Sequence, residues 1–220
     1  MLYLPSVEVE PQSTADASII WLHGLGANGH DFEPIVPELN LPNAAAVRFV
    51  FPHAPSIPVT INEGMVMPAW YDILSMDMDR KIDTGQILKS ADSIRALIDR
   101  EIDRGIDSKR ILIVGFSQGG AVGYQVALTC PFPLGGMLAL STYLASTEII
   151  KPHEANQNIP LLICHGTADP VVPEYLGQLA VKSLEKMGHT PEYITYPIQH
   201  QVSIDEISDI SRWFKKVLQL

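Results

Sequence analysis

The sequence predicts an α/β protein, a single domain built on a mostly parallel sheet with helices on both faces. Three observations carry this. Short apolar, β-branched runs alternate with helical patterns from residue 18 to the end, as strand–helix–strand units do. Gly115-Phe116-Ser117-Gln118-Gly119 stands between one such run and one such helix, in a turn so sharp that small residues must flank the serine. His23, Ser117, Asp169 and His200 each follow the end of a predicted strand. The sheet should therefore gather them along one edge, where ligands of such sheets sit.

Residues 1–17, polar and with Pro5 and Pro11, suit an edge strand or hairpin. Ser18 to Leu22 is a short buried strand. It runs into His23-Gly24-Leu25-Gly26-Ala27-Asn28-Gly29, which fits neither glycine-rich phosphate motif. A tight turn, or a backbone that must approach a substrate oxygen, accounts for these glycines. Asp31 to Leu39 allows a short helix, and Val47 to Pro52 is the next strand. From His53 to Lys81 proline and methionine are frequent and no helical period is present. The expectation is a long irregular segment, which in a compact domain is usually functional. Its Ile61, Met65, Met67 and Trp70 could line an apolar substrate groove or pack as a satellite core.

At Asp83 the period becomes helical. Ile87, Ala91, Ile94, Ile98 and Ile102 share one face, with Leu88 and Leu97 widening it. Asp83 can cap this helix, with Gln86 three positions on, and Gly105 stops it. Arg110 to Val114 is the strand that enters the Ser117 turn, and Gly120 to Leu128 is a helix of small residues able to pack close on a sheet. Gly136 to Ser141 and Ile159 to Cys164 are further strands. Residues 174–187 read as a helix with Leu176, Leu179, Ala180, Leu184 and Met187 inward and Gly188 as its stop. Glu192 to Tyr196 is the last strand. Ser203 and Glu206 suit a capping box for a final helix that buries Ile207, Ile210, Phe214, Val217 and Leu218.

The 220 residues, 46% of them hydrophobic and 18% charged, fit one domain over 1–220 with a generous core. A net charge of −10 leaves no basic patch to meet phosphates, so nucleic acid is not an expected partner. It also gives little attraction to anionic membranes. No window approaches the ~18 unbroken apolar residues of a membrane span, and the start of the chain lacks the features of a leader peptide. A cytoplasmic protein without stable membrane insertion is the expectation. Cys130 and Cys164 are expected as free, buried thiols. No H-E-x-x-H or tight His/Asp/Glu cluster occurs, so no metal and no cofactor is expected beyond water as co-reactant.

A serine hydroxyl needs a base near neutral pH. In hydrolases with this elbow the chain order is serine, acid, histidine, which removes His23, His30 and His53. His153 lies in a polar loop, and His189 follows a helix stop and is expected to be exposed. His165 adjoins the loop of the candidate acid and is expected to support it. His200, in the loop after the last strand, is the expected base. Asp169, in a turn fixed by Pro170 and Pro173, is the expected acid; Glu148, Glu154, Glu174, Glu185 and Glu192 read as solvated faces. Backbone N–H groups of Gln118 and Leu25 are the expected oxyanion donors.

These pieces resemble the carboxylesterase and acyl-protein thioesterase family, also called the phospholipase/carboxylesterase family of α/β-hydrolases. The resemblance rests on Trp21-Leu22-His23-Gly24-Leu25-Gly26, Phe51-Pro52-His53-Ala54-Pro55, Pro58-Val59-Thr60, Ala69-Trp70-Tyr71-Asp72, Gly115 to Gly120 and His165 to Pro173, in the family's order. Gly26 to Phe32 and Leu140 to Leu144 look closest to a bacterial carboxylesterase branch. Gln199 and Gln201 depart from the residues the family commonly has beside its histidine. The resemblance implies a triad of Ser117, Asp169 and His200, an oxyanion hole at Leu25 and Gln118, and an acyl-binding segment at about 53–81. The leading expectation is hydrolysis of a small-molecule or lipid acyl ester, and in some cases a thioester, with short to medium chains. The alternative is a lysophospholipase or acyl-protein thioesterase acting on long chains. A hydrolase-like binding module is a third reading, which the complete triad argues against. The apolar 53–81 segment is also open to a homodimer contact.

Overall fold

A computed structural model describes residues 3–75, 81–145 and 147–220. The strands are β1 (Ser6–Val9), β2 (Ala17–Leu22), β3 (Val47–Pro52), β4 (Ser56–Val59), β5 (Met65–Pro68), β6 (Ile73–Ser75), β7 (Lys81–Ile82), β8 (Ile111–Phe116), β9 (Gly136–Leu140), β10 (Leu161–Gly166) and β11 (Glu192–Tyr196). The helices are α1 (Ile35–Glu38), α2 (Thr84–Asp103), α3 (Gln118–Thr129), α4 (Glu174–Lys186) and α5 (Ile204–Leu218). Seven strands form the main sheet in the order β1-β3-β2-β8-β9-β10-β11. Every pairing is parallel except β1 with β3. This is the α/β-hydrolase arrangement in one domain.

Strands β2, β3, β9 and β10 are buried at every position and are mostly apolar because both faces of the sheet are covered. Alternate side chains divide between two layers. Ile20, Leu22, Ile111, Ile113 and Met137 pack with Ile87, Ala91, Ile94, Leu97 and Ile98 of α2 and with α3. Ile19, Trp21, Leu112, Val114, Leu138 and Leu162 pack with Ile210, Trp213, Phe214 and Leu218 of α5. Asp83 caps α2 by accepting from the Gln86 N–H at 2.9 Å, and Gly105 ends it at φ +97°. Ser203 and Glu206 form the capping box of α5.

Several local expectations are corrected. The 53–81 segment is not irregular. β4 and β5 pair antiparallel from Ser56↔Pro68 to Val59↔Met65, and β6 pairs antiparallel with β7; residues 76–80 lie outside the described residues. Pro58 and Pro68 mask the strand pattern in sequence, yet a two-stranded ribbon tolerates them because it has free edges. The first reversal uses left-handed backbone at Glu63 (φ 57°) and Gly64 (φ 75°). Leu88 and Leu179 face solvent. On α4 it is Gly177, Ala180 and Leu184 that turn inward.

One charged group lies on the buried face of α2. Glu101 is fully buried and bonds Arg48 (2.8 Å), Arg104 (3.0 Å) and Arg100 (3.2 Å). Arg48 and Arg104 continue to Glu10, and Arg100 and Arg104 to Glu8. The cluster ties edge strand β1 and strand β3 to α2. Burial pushes the Glu101 carboxyl up, but the Arg48 hydrogen bond and the charges of Arg104 and Arg100 outweigh it and hold it below the ordinary carboxylate range.

Candidate active site

Ser117 sits between β8 and α3 at φ 53° and ψ −120°. This is backbone that costs a non-glycine residue about 1–3 kcal/mol and persists only where the surroundings dictate it. Here the Ser117 N–H donates to Leu140 O (2.9 Å), and its carbonyl accepts from Thr142 Oγ1 (2.5 Å) and Gly120 N (3.0 Å). The flanking glycines are required. A Cβ on Gly115 would stand 2.5 Å from the Gly119 backbone, and one on Gly119 would stand 2.5 Å from Leu22 O. The elbow is packed against the end of β2, where the His23–Gly29 loop begins.

Asp169 follows β10 and is buried. Its Oδ1 accepts from the N–H groups of Val171 and Val172, both at 2.8 Å. Its Oδ2 lies 2.6 Å from His200 Nδ1. A carboxylate accepts, so Nδ1 carries the proton and Nε2 is left to receive another. The His200 ring lies 4.7 Å, centre to centre, from that of Phe116, the residue before Ser117. Among the described residues no hydrogen bond joins Ser117 Oγ to His200; such bonds are often long before substrate binds.

The other histidines have structural partners or none. His23 is buried, with Nδ1 donating to Gly24 O (2.7 Å) and Nε2 accepting from Ala54 N (3.1 Å); burial lowers its pKa. His53 Nδ1 accepts from Gly29 N at 3.0 Å and pins the glycine loop. His30 pairs with Glu33, and His153 accepts from Ala155 N. His165 bonds the Val172 carbonyl at 2.8 Å. His189 is buried rather than exposed, because Gly188 turns the chain (φ 89°) and its N–H returns to Leu184 O at 3.0 Å; desolvation lowers its pKa.

Gln118 heads α3, so its amide N–H has no carbonyl four residues back to donate to. Leu25 and Gln118 both line the cavity that holds Ser117, where two N–H groups would meet a developing oxyanion. The Gln118 side chain has a separate task, for which the sequence carries no signal. Its Oε1 accepts from Trp70 N (2.8 Å) and its Nε2 donates to Tyr71 O (2.6 Å). Trp70 is held again by its indole N–H on His23 O (2.8 Å) and by Ser90 Oγ on its carbonyl. The 53–81 segment is thus bolted to the elbow, to the glycine loop and to α2.

The cavity at Ser117 measures about 260 Å³. Of the four residues expected to line a groove, the structure brings Ile61 to this cavity. Met65 projects from the β4–β5 hairpin, 64% exposed. Met67 packs its sulfur against Asn62 Nδ2 (3.2 Å). Trp70 is 1% exposed and belongs to the core, so it supports the wall instead of forming it. Ile73, Tyr143, Val171 and Val172 line the cavity although no substrate-contacting role was expected of them. A larger open cleft of about 640 Å³ between α1 and α5 has Ser208 and Ser211 in its wall but no histidine beside them. No group of three or more His, Cys, Asp or Glu among the described residues is placed to hold a metal ion. No helix among them is long and apolar enough to cross a membrane.

Residues 5–218 match the family model described as phospholipase/carboxylesterase. The chain is 39% identical to acyl-protein thioesterase 1 of Neurospora crassa over 94% of its own length and 89% of that protein. It is 38% identical to acyl-protein thioesterase 1 of Gibberella zeae over 92% of its own length and 91% of that protein. The crystal structure of Arabidopsis thaliana SOBER1 superposes with a TM-score of 0.87 at 35% identity, covering 92% of this chain and 99% of that one. These three are fungal and plant proteins, and the leaning toward a bacterial branch draws no support from them.

Proposed function

Because the chain belongs to the phospholipase/carboxylesterase family of ester-cleaving serine hydrolases, we propose that it removes long acyl groups from protein thioesters, and from related esters, through an acyl-enzyme on Ser117. The printed names of the fungal relatives favour this over the short-to-medium ester reading. The observation that carries the mechanism is the 2.6 Å bond from His200 Nδ1 to Asp169 Oδ2 beside a strained serine elbow. His200 Nε2 takes the Ser117 proton as Oγ attacks the acyl carbonyl, and Asp169 keeps the imidazole in the required tautomer and stabilises the imidazolium. The N–H groups of Leu25 and Gln118 meet the oxyanion. His200 then returns the proton to the departing thiol or alcohol; in the second half it takes a proton from water as the water oxygen bonds the acyl carbon, and passes that proton to Ser117 Oγ as the acyl–Oγ bond breaks and the carboxylic acid leaves.

The cavity beside Ser117, about 260 Å³, supplies an apolar wall at Leu25, Ile61, Ile73, Val171 and Val172 for the start of an acyl chain. A longer chain would lie over exposed Met65, Val66 and Leu74 of the 53–81 segment. Comparing kcat/KM for acyl thioesters and esters of two to sixteen carbons tests the assignment, and a maximum at two to four carbons would overturn it. Replacing Ser117 with Ala should lower kcat by roughly 10⁶, with unchanged turnover refuting the nucleophile.

A further inference from the structure

We infer that His165 is a positioning residue, one that holds the turn aiming Asp169 at His200. The inference rests on the triad reading proposed above. His165 is next to last in β10 and wholly buried. Its Nε2 lies 2.8 Å from Val172 O. A carbonyl only accepts, so Nε2 bears the proton and Nδ1 of the neutral ring is bare. Nδ1 has no partner among the described residues, and α4 lies directly on it, since a Cβ on Gly177 would come within 2.5 Å. Glycine at 177 is what lets the helix seat the ring.

Val172 is the shared node. It gives its carbonyl to His165 and its N–H to Asp169 Oδ1, the latter at 2.8 Å. Pinning one end of that residue fixes the other. No hydrogen bond joins the two directly: His165 Nε2 is 3.9 Å from Asp169 Oδ2, beyond hydrogen-bond range. Nor does His165 line the cavity at Ser117. Its influence therefore passes through the loop, and it should act on the orientation of the carboxylate while leaving substrate binding alone.

The test compares His165→Leu, His165→Gln, Gly177→Ala and Asp169→Asn in the full chain. It reads kcat and KM on one acyl thioester and the proton resonance shared by His200 Nδ1 and Asp169. Loss of the clamp should lower kcat by about 10–100-fold, the scale of a 1 Å misplacement, with KM held within about twofold of the parent protein. The shared-proton signal should move or broaden. Gln, whose side-chain N–H can replace Nε2–H, should restore most of kcat. Gly177→Ala should mimic the loss from the α4 side, and it serves if the Leu variant does not fold. Parental kcat with an unmoved proton signal in His165→Leu, or Gln performing no better than Leu, would overturn the inference. Near-parental turnover in Asp169→Asn would instead overturn the triad itself. An inactive Asp169→Asn beside a fully active His165→Leu would remove only the role given to His165.

Discussion

Glu206 should make the fold lose stability as pH rises from about 4.5 to about 7. The residue occupies the first turn of α5 and is 1% exposed. Its Oε2 accepts a long bond from Ser203 N at 3.4 Å, and its Oε1 has no partner among the described residues. A helix N-terminus favours a negative charge, by about 0.3–1 kcal/mol at an exposed site. Desolvation is the larger effect here: burial, reinforced by the charge of Asp209, pushes the carboxyl up to about 7 despite the Ser203 hydrogen bond. The folded state therefore keeps a proton that the unfolded chain, at about 4.5, has released. Stability falls with pH wherever the native state binds more protons, so the loss begins near pH 4.5 and is complete above about 7. The difference of about 2.5 units, at 1.36 kcal/mol per unit, corresponds to about 3 kcal/mol at most. Urea unfolding of the parent and of Glu206→Gln at pH 5 and pH 8 measures it. Gln removes the ionisation and leaves the Ser203 Oγ cap in place, so the two proteins should be similar at pH 5 and the variant more stable by up to ~3 kcal/mol at pH 8. Parallel stability curves across that range would refute the assignment of a buried, neutral carboxyl.

Two further perturbations follow from buried polar groups. Glu101→Ala leaves Arg48, Arg100 and Arg104 facing each other without their shared carboxylate, and a buried pair broken from one side costs about 3–5 kcal/mol; a urea midpoint implying less than ~1 kcal/mol would mean the cluster is solvated. Gln118→Ala strands the Trp70 N–H and the Tyr71 carbonyl at about 1–3 kcal/mol each, while the backbone N–H of residue 118 stays in place. Thermal denaturation should register that loss. The variant should also weaken turnover of long acyl chains more than of two-carbon ones, and equal effects on both would separate the Gln118 side chain from substrate choice.

The frame of the molecule was open to reading because parallel strands covered on both faces leave near-continuous apolar runs, as β2, β8, β9 and β10 do apart from Ser18 and His165. The elbow was legible for a steric reason: no side chain fits at 115 or 119. The triad order, combined with strand ends, singled out Asp169 and His200 from their competitors. What stayed hidden was whatever depends on non-local partners. Glu101 falls on the buried face of α2, after Leu97 and Ile98, and three arginines, one of them 53 residues away on β3, make its burial tolerable. Trp70 reads as a groove residue because it is aromatic and lies among methionines, but the polar end of its indole is satisfied by the His23 carbonyl, which draws the ring inward. His189 looks exposed beside a helix stop, until Gly188 folds it back beneath α4.

The two ends of the proposed machinery are braced separately. The oxyanion loop, the elbow and the 53–81 segment share one set of hydrogen bonds through Gln118, Trp70 and His23. The acid turn is held by a different set, through Val172, His165 and α4. The His200 ring stands between them, bonded to Asp169 on one side and lying against Phe116 on the other. Each set of bonds positions its own groups, and neither fixes the distance between Ser117 and His200. That is where the resting geometry leaves the serine–histidine bond unmade. An acyl group entering the cavity would meet Gln118 of the first set and Val172 of the second, both of which line it, and its binding energy would then be available to close that last gap.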